Sequence, residues 1–241
     1  MKHTDRPVFR FKRFALEQIG AAHPVGTDSV LLGAWANIQG ARRILDIGTG
    51  TGAVALLLAQ RTEAFPDCQL VGLEPHAPSL ACAEGNFGRS PWAGRLIGVE
   101  DTVQNYAARK PRPFDLIVSN PPFFVETTLS PDPLRRATRH VSSLPPNALL
   151  EAVRQLLAPK GCFCAIVPPS LGQHLCEWGA TLGLYCTHRT VVFTRPGKPP
   201  ERWLLCFERS PYKFQQEHLY IYEREEIWSS EFRALTGDFY L

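Results

Sequence analysis

The apolar run Ile44-Leu45-Asp46-Ile47 passes directly into Gly48-Thr49-Gly50-Thr51-Gly52 and then into a helical pattern from Ala53, and this junction constrains the fold more than any other part of the chain. Glycines permit positive φ and leave bare backbone where a Cβ would collide with a bound molecule, so the loop is a place for a ligand. Downstream, β-type runs near 43–47, 69–73, 95–99, 114–119, 162–167, 186–193 and 202–208 alternate with helix-period segments near 53–61, 77–87, 147–157 and 171–182. That alternation predicts an α/β protein built from βαβ units around a mostly parallel, doubly wound sheet. The last two runs are joined by Arg195-Pro196-Gly197-Lys198-Pro199-Pro200. The link is too short for a helical crossover, so the pair should form a hairpin and the final strand of the seven should run antiparallel.

A chain of 241 residues is of a size to hold one large core. We expect residues 42–241 to form a single globular unit, with 1–41 as an amino-terminal arm and helix packed on it. The arm reads Phe9-Arg10-Phe11-Lys12-Arg13-Phe14, and the helix opens at Gly26-Thr27-Asp28, with Thr27 or Asp28 as the expected cap. Three phenylalanines at such short spacing fit a hairpin core better than a stacking platform. The net charge of +3 permits a polyanionic partner without requiring one. Seven cysteines, an odd number with no CxxC pair, argue against a secreted disulfide scaffold and for a reducing, cytoplasmic setting. Cys162 and Cys164 flank Phe163 at strand period and read as small core residues on one face. His23, His174, His188 and His218 lack ligand-like spacing, and no metal is expected. No apolar run has signal-peptide or membrane-spanning length.

The chemistry concentrates where the strand 114–119 stops at Asn120-Pro121-Pro122-Phe123. Consecutive prolines end sheet pairing and leave the Asn120 amide oxygen and the Pro121 carbonyl at the strand end without ladder partners. An amino group on a planar ring needs two acceptors for its two hydrogens, and Phe123 offers a face on which such a ring can stack. A proline-stopped strand with an Asx turn explains the same residues structurally. At the glycine loop, Gly48-x-Gly50-x-x-Ala53 also satisfies the relaxed dinucleotide fingerprint, so NAD competes as the ligand. Glu74, ending the second strand, suits ribose hydroxyls in either case. Asp46 separates the two, because a carboxylate before the loop disfavours a nearby pyrophosphate and welcomes a sulfonium cofactor carrying an ammonium group. This favours S-adenosylmethionine, with Asp101 after the third strand as a partner for the adenine amino group.

Asp46-Ile47-Gly48-Thr49-Gly50-Thr51-Gly52, Glu74 and Ser119-Asn120-Pro121-Pro122-Phe123, in that order, resemble the amino-methylating class I methyltransferases, which have a Rossmann-like sheet of this kind. More narrowly, the segment Val25 to Trp35, Ser90-Pro91-Trp92, Ala137-Thr138-Arg139-His140 and the terminal Gly237-Asp238-Phe239-Tyr240-Leu241 resemble the bacterial tRNA valine adenine-N6 methyltransferases. The resemblance implies methylation of the adenosine immediately 3′ of the anticodon. It places Gly26, Thr27 and Asp28 as a lid beside the cofactor, with Asn120, Pro121, Pro122 and Phe123 as the catalytic turn. The partner implied is the anticodon stem-loop of a tRNA; a monomer is expected, and by their clustered charge Arg10, Lys12 and Arg13 and Arg135, Arg136, Arg139 and His140 are the candidates to hold its phosphates. Lys198 and Arg202 could add to that surface. Phe123 departs from the tyrosine common in the family and is shared with guanine-N2 ribosomal RNA enzymes. That activity, glutamine methylation of a protein, and a non-catalytic nucleotide-binding module are the alternatives.

Overall fold

The computed structural model describes residues 8–121 and 144–240. Strands β1 (Phe9–Arg10) and β2 (Ala15–Leu16) form a short antiparallel hairpin, followed by helix α1 (Thr27–Trp35). The alternating part runs β3 (Arg43–Ile47), α2 (Ala53–Arg61), β4 (Gln69–Leu73), α3 (Ala77–Arg89), β5 (Leu96–Val99), α4 (Val103–Ala108) and β6 (Phe114–Ser119). It resumes with α5 (Pro146–Leu156), β7 (Leu157–Val167), α6 (Pro169–Thr181), β8 (Tyr185–Phe193), β9 (Pro200–Glu208) and β10 (Gln215–Tyr220). A second hairpin, β11 (Tyr222–Arg224) with β12 (Ile227–Trp228), leads into α7 (Ser230–Thr236).

The central sheet has the order β10-β8-β9-β7-β6-β3-β4-β5. All its pairings are parallel except those of β9, which is antiparallel to both β7 and β8, so the hairpin expected from the proline-rich link is present. The sheet has an eighth strand beyond the seven expected. The sequence Gln-Gln-Glu-His-Leu-Tyr of β10 pairs parallel with β8 at the sheet edge and buries only Leu219, so its sequence carries no apolar alternation. The short α4 was also not anticipated, since it buries just Val103 and Ala107, a pair four residues apart.

Helices cover both faces. Residues of α1, α2 and α3 pack on one side with Phe11, Phe14 and Leu16 of the arm and Phe232 and Phe239 of the carboxyl-terminal segment. On the other, α4, α5 and α6 pack around Leu45, Ile117, Phe163 and Phe207. The arm's phenylalanines are indeed core: Phe11 stacks on Phe14 with ring centroids 4.6 Å apart. Helix α1 buries Val30 through Ala34 and lies hard against α2, where a Cβ on Gly33 would come within 2.7 Å of Leu57. Its N-cap is Gly26, without a side-chain cap bond, which corrects the expectation for Thr27 or Asp28. Both side chains have other partners. Thr27 bonds Tyr240, and Asp28 Oδ2 accepts from Arg202 Nε at 2.8 Å.

Candidate active site

The chain lays down β3, β4 and β5 outward in one direction and then returns to place β6 on the opposite side of β3. Open α/β sheets bind ligands at the carboxyl ends of the strands flanking such a reversal. Register makes the point sharper. Ser119, Ile47, Leu73 and Val99 form one row across β6, β3, β4 and β5. The next residue on each strand is Asn120, Gly48, Glu74 and Glu100, so three of the sequence-nominated residues emerge side by side on one rim. Ser119 Oγ donates to Ile47 O at 3.0 Å and ties the two strand ends together.

The three loop glycines all have positive φ, 73° at Gly48, 57° at Gly50 and 81° at Gly52, yet they serve different ends. A Cβ on Gly52 would meet the Phe87 ring at 2.5 Å, so this glycine lets α3 pack beneath the loop. Nothing lies within 4 Å of the position of a Cβ on Gly48, and only Gly48 O lies near that of Gly50, at 3.9 Å. Those two face open space. The loop is pinned by Gly48 and Thr49 N–H groups donating to Leu73 O, and by Asn86 Nδ2 donating to Thr51 O at 2.8 Å. Glu74 bridges loop and strand end, accepting from Gly50 N through Oε2 and from His76 N through Oε1. Each oxygen accepts one of these bonds and so keeps a lone pair for a further donor.

Asp46 is 2% exposed, and its Oδ2 accepts from Thr49 Oγ1 at 2.7 Å. Burial raises its pKa to about 7, although the Thr49 and Ala55 bonds oppose the shift and Glu74 adds to it. A carboxylate this expensive to ionise within the protein alone suits a site that receives positive charge from outside. Asp101 is nearly buried, accepts from Thr102 N at 2.9 Å and forms an ion pair with Arg109. It stands at the rim as expected, but its charge is already met.

Asn120 is half-buried where β6 ends, and its Nδ2 faces Ser29 Oγ of α1 at 3.4 Å. With the amide nitrogen turned to Ser29, Oδ1 remains as the acceptor. Pro121 is buried next to it. Pro122, Phe123 and the cluster Arg135, Arg136, Arg139 and His140 lie outside the described residues. Of the amino-terminal cations, Arg10 is exposed, whereas Lys12 Nζ donates to Gly237 O at 2.5 Å. Arg13 makes a two-bond ion pair with Glu63, at 2.7 and 2.8 Å, and lies over the Trp92 ring. Arg202 holds Asp28. Lys12, Arg13 and Arg202 are thus engaged inside the fold, which the linear charge pattern did not reveal. Ser29, Asn86 and Ser119 were missed because each acts across elements distant in sequence, whereas Thr49 bonds Asp46 three residues away inside the glycine motif itself.

These features define a class I, S-adenosylmethionine-dependent methyltransferase. The sequence matches the methyltransferase small domain family over residues 25–167. It is 41% identical, over 98% of both chains, to the tRNA1(Val) (adenine(37)-N6)-methyltransferase of Bacteroides thetaiotaomicron. It is 40% identical to the Tolumonas auensis protein of the same name, covering 97% of this chain and 96% of that one. Among solved structures, the fold is similar to a predicted O-methyltransferase from Agrobacterium tumefaciens (TM-score 0.69, 17% identity, 88% of this chain and 96% of that one). It is also similar to a T. thermophilus 16S rRNA N2 G1207 methyltransferase in complex with AdoMet and guanosine (TM-score 0.57, 21% identity, 85% and 50%). The chain belongs to the methyltransferase small domain family and, within it, to the tRNA1(Val) (adenine(37)-N6)-methyltransferases.

Proposed function

We propose that this protein methylates N6 of adenosine 37 in valine tRNA, using the rim formed by Asn120, Gly48 and Glu74. The observation that carries the reading is the shared register row, which sets the Asn120 amide beside an open glycine loop. S-adenosylmethionine supplies an electrophilic methyl group on a sulfonium. The residues present fit it: Asp46 for the positively charged end, the bare backbone of Gly48 and Gly50 along its length, and Glu74 for ribose hydroxyls. Asp101, already paired with Arg109, would share a remaining acceptor site with the adenine. Thr27 and Asp28 act indirectly, fixing the start of α1 so that Ser29 meets Asn120.

The adenine amino nitrogen is a poor nucleophile because its lone pair is delocalised into the ring. Asn120 Oδ1 and the Pro121 carbonyl accept its two N–H bonds, favouring a tetrahedral nitrogen and stabilising the positive charge that develops there. A general base is unnecessary, since the alkylated nitrogen is acidic and sheds its proton afterwards. Phe123 supplies the stacking surface. The base must leave its stack first, a cost of a few kcal/mol that is smallest in a loop. The Arg135, Arg136, Arg139 and His140 cluster, with Arg10, supplies phosphate contacts. Incubation of unmodified valine tRNA with the cofactor, followed by nucleoside mass analysis, tests the proposal. N6-methyladenosine is expected; N2-methylguanosine, or methyl transfer to protein glutamine alone, would overturn it.

A further inference from the structure

The strand pairing brings together thiols that the spacing of cysteines along the chain does not. Cys162 and Cys164 lie two residues apart on β7, Cys206 is the direct partner of Cys164 on β9, and His188 is the partner of Cys206 on β8. Residues paired across a sheet point to the same face, so Cys164, Cys206 and His188 form a row with Cys162 beside it. The sulfurs of Cys162, Cys164 and Cys206 all lie within 4.8 Å of one another. All four side chains line a cavity of about 230 Å³ whose wall also carries Lys213 and Glu208. Cys164 and Cys206 belong to the apolar core on this face and Cys162 packs against it, but the cavity they line also carries an imidazole and an ammonium group.

We propose that Cys162, Cys164, Cys206 and His188 form a binding site for a soft divalent cation of the zinc class. Metal–sulfur bonds of about 2.3 Å in tetrahedral geometry set sulfurs roughly 3.8 Å apart, so the thiols need only small side-chain adjustments to close on an ion. Thiolate and imidazole donors select zinc over the hard cations. Binding replaces each S–H proton with a bond to the metal and releases those protons to solvent. Three thiolates and one dication leave a net charge of −1; on the cavity wall Lys213 opposes it and Glu208 adds to it. His188 stands one strand further along the row, outside the close-set group of sulfurs, and joins the ion by a side-chain rotation; Glu217 Oε2, 3.4 Å from its Nε2, stands where a carboxylate would orient a ligating histidine. The same sheet row continues through Val118 to Asp46, which puts Cys164 two strand spacings, roughly 10 Å, and Cys206 three from the cofactor carboxylate. The ion therefore has a structural role, joining β7, β9 and β8 where the sheet changes direction.

Cobalt(II) titration of the full-length reduced protein, followed by zinc displacement, tests this. The expected result is thiolate-to-cobalt absorption that saturates at a single equivalent and is abolished by zinc. Cys206→Ser should lose the band, and Cys82→Ser, in a thiol outside the cluster, should retain it. His188→Ala should keep the sulfur-to-metal absorption but weaken binding by about tenfold or more. To separate ligation from any disturbance of the sheet by Cys206→Ser, the wild-type protein is also alkylated with and without zinc. Protection confined to peptides carrying Cys162, Cys164 and Cys206 supports the site. Absence of cobalt–thiolate absorption in the wild-type protein, equal alkylation with and without zinc, or a Cys164–Cys206 disulfide in place of metal binding would each overturn it.

Discussion

The glycine loop between β3 and α2 and the phenylalanine-rich arm both invite a reading as binding surfaces, one for its backbone and one for its charge. The fold treats them oppositely. At the loop, Gly48 and Gly50 adopt positive φ over open space, and Asp46 sits buried with a carboxyl group that the protein alone makes hard to ionise. In the arm, Lys12 closes on Gly237 O and Arg13 closes on Glu63 and Trp92. A motif points outward when its local costs stay unmet inside the molecule. A cation whose bonds are already made belongs to the scaffold, whatever its neighbours in sequence.

The largest effect should come from the rim acceptor beside the loop. Asn120→Ala is expected to lower kcat by about 10² or more while cofactor affinity, measured by calorimetry, stays near that of the wild type, because the lost bond strengthens only as charge develops on the substrate nitrogen. Single-turnover methylation of valine tRNA reads it. Near-wild-type turnover would reduce the turn to a structural stop and remove the contrast between a poised site and a finished scaffold.

Asp46 gives the next effect and sharpens the contrast through pH. Its folded pKa of about 7 lies above the ordinary 3.8, so its contribution to stability is complete below that ordinary value and is lost as pH rises through about 7. Asp46→Asn should therefore raise the thermal midpoint of the ligand-free protein above about pH 7 and change it little in acid. The same variant should bind S-adenosylmethionine more weakly. For the wild type, affinity should increase as Asp46 ionises. A variant that is neither more stable at high pH nor weaker in binding would show that this carboxylate is scaffold as well.

Most of the fold was legible because parallel strands buried on both faces announce themselves as apolar runs, and the glycines and prolines punctuate them. The missing strand, Gln215–Tyr220, lies at an edge where almost nothing is buried, so no periodicity marks it. At the site, Asp46, Gly48, Glu74 and Asn120 were readable as local motifs, and pairing then set Gly48, Glu74 and Asn120 in one row. Ser29 and Asn86 were not, because their partners Asn120 and Thr51 lie 91 and 35 residues away. The thiol cluster was invisible for the same reason: the third sulfur arrives on an antiparallel strand 42 residues after the second.

The cationic residues beyond Pro121 extend the comparison. If Arg135, Arg136 and Arg139 hold tRNA phosphates, neutralising all three should raise KM for tRNA and reduce the salt slope by about 1 for each phosphate left without its arginine, with cofactor affinity unchanged. Equal KM and an equal slope, measured over a range of salt concentrations, would assign them to a solvated surface and leave Arg10 to be tested alone.

The smallest effect is expected at Arg13, and its smallness is informative. The Arg13–Glu63 pair is about half exposed on both sides, so solvent screening limits what it contributes. The Arg13 bond, followed by that of Trp92, holds Glu63 below its ordinary pKa of 4.5. A carboxylate depressed in this way stabilises the fold above its ordinary pKa and loses that contribution as pH falls through the lower folded value. Arg13→Gln should therefore lower the thermal midpoint slightly at neutral pH, with the difference from wild type shrinking in acid and in high salt. Its salt slope for tRNA should match the wild type, because the guanidinium was already committed to Glu63. A flattened slope in this variant would mean that tRNA breaks the Glu63 pair to recruit Arg13, and the arm would then have to be counted with the site.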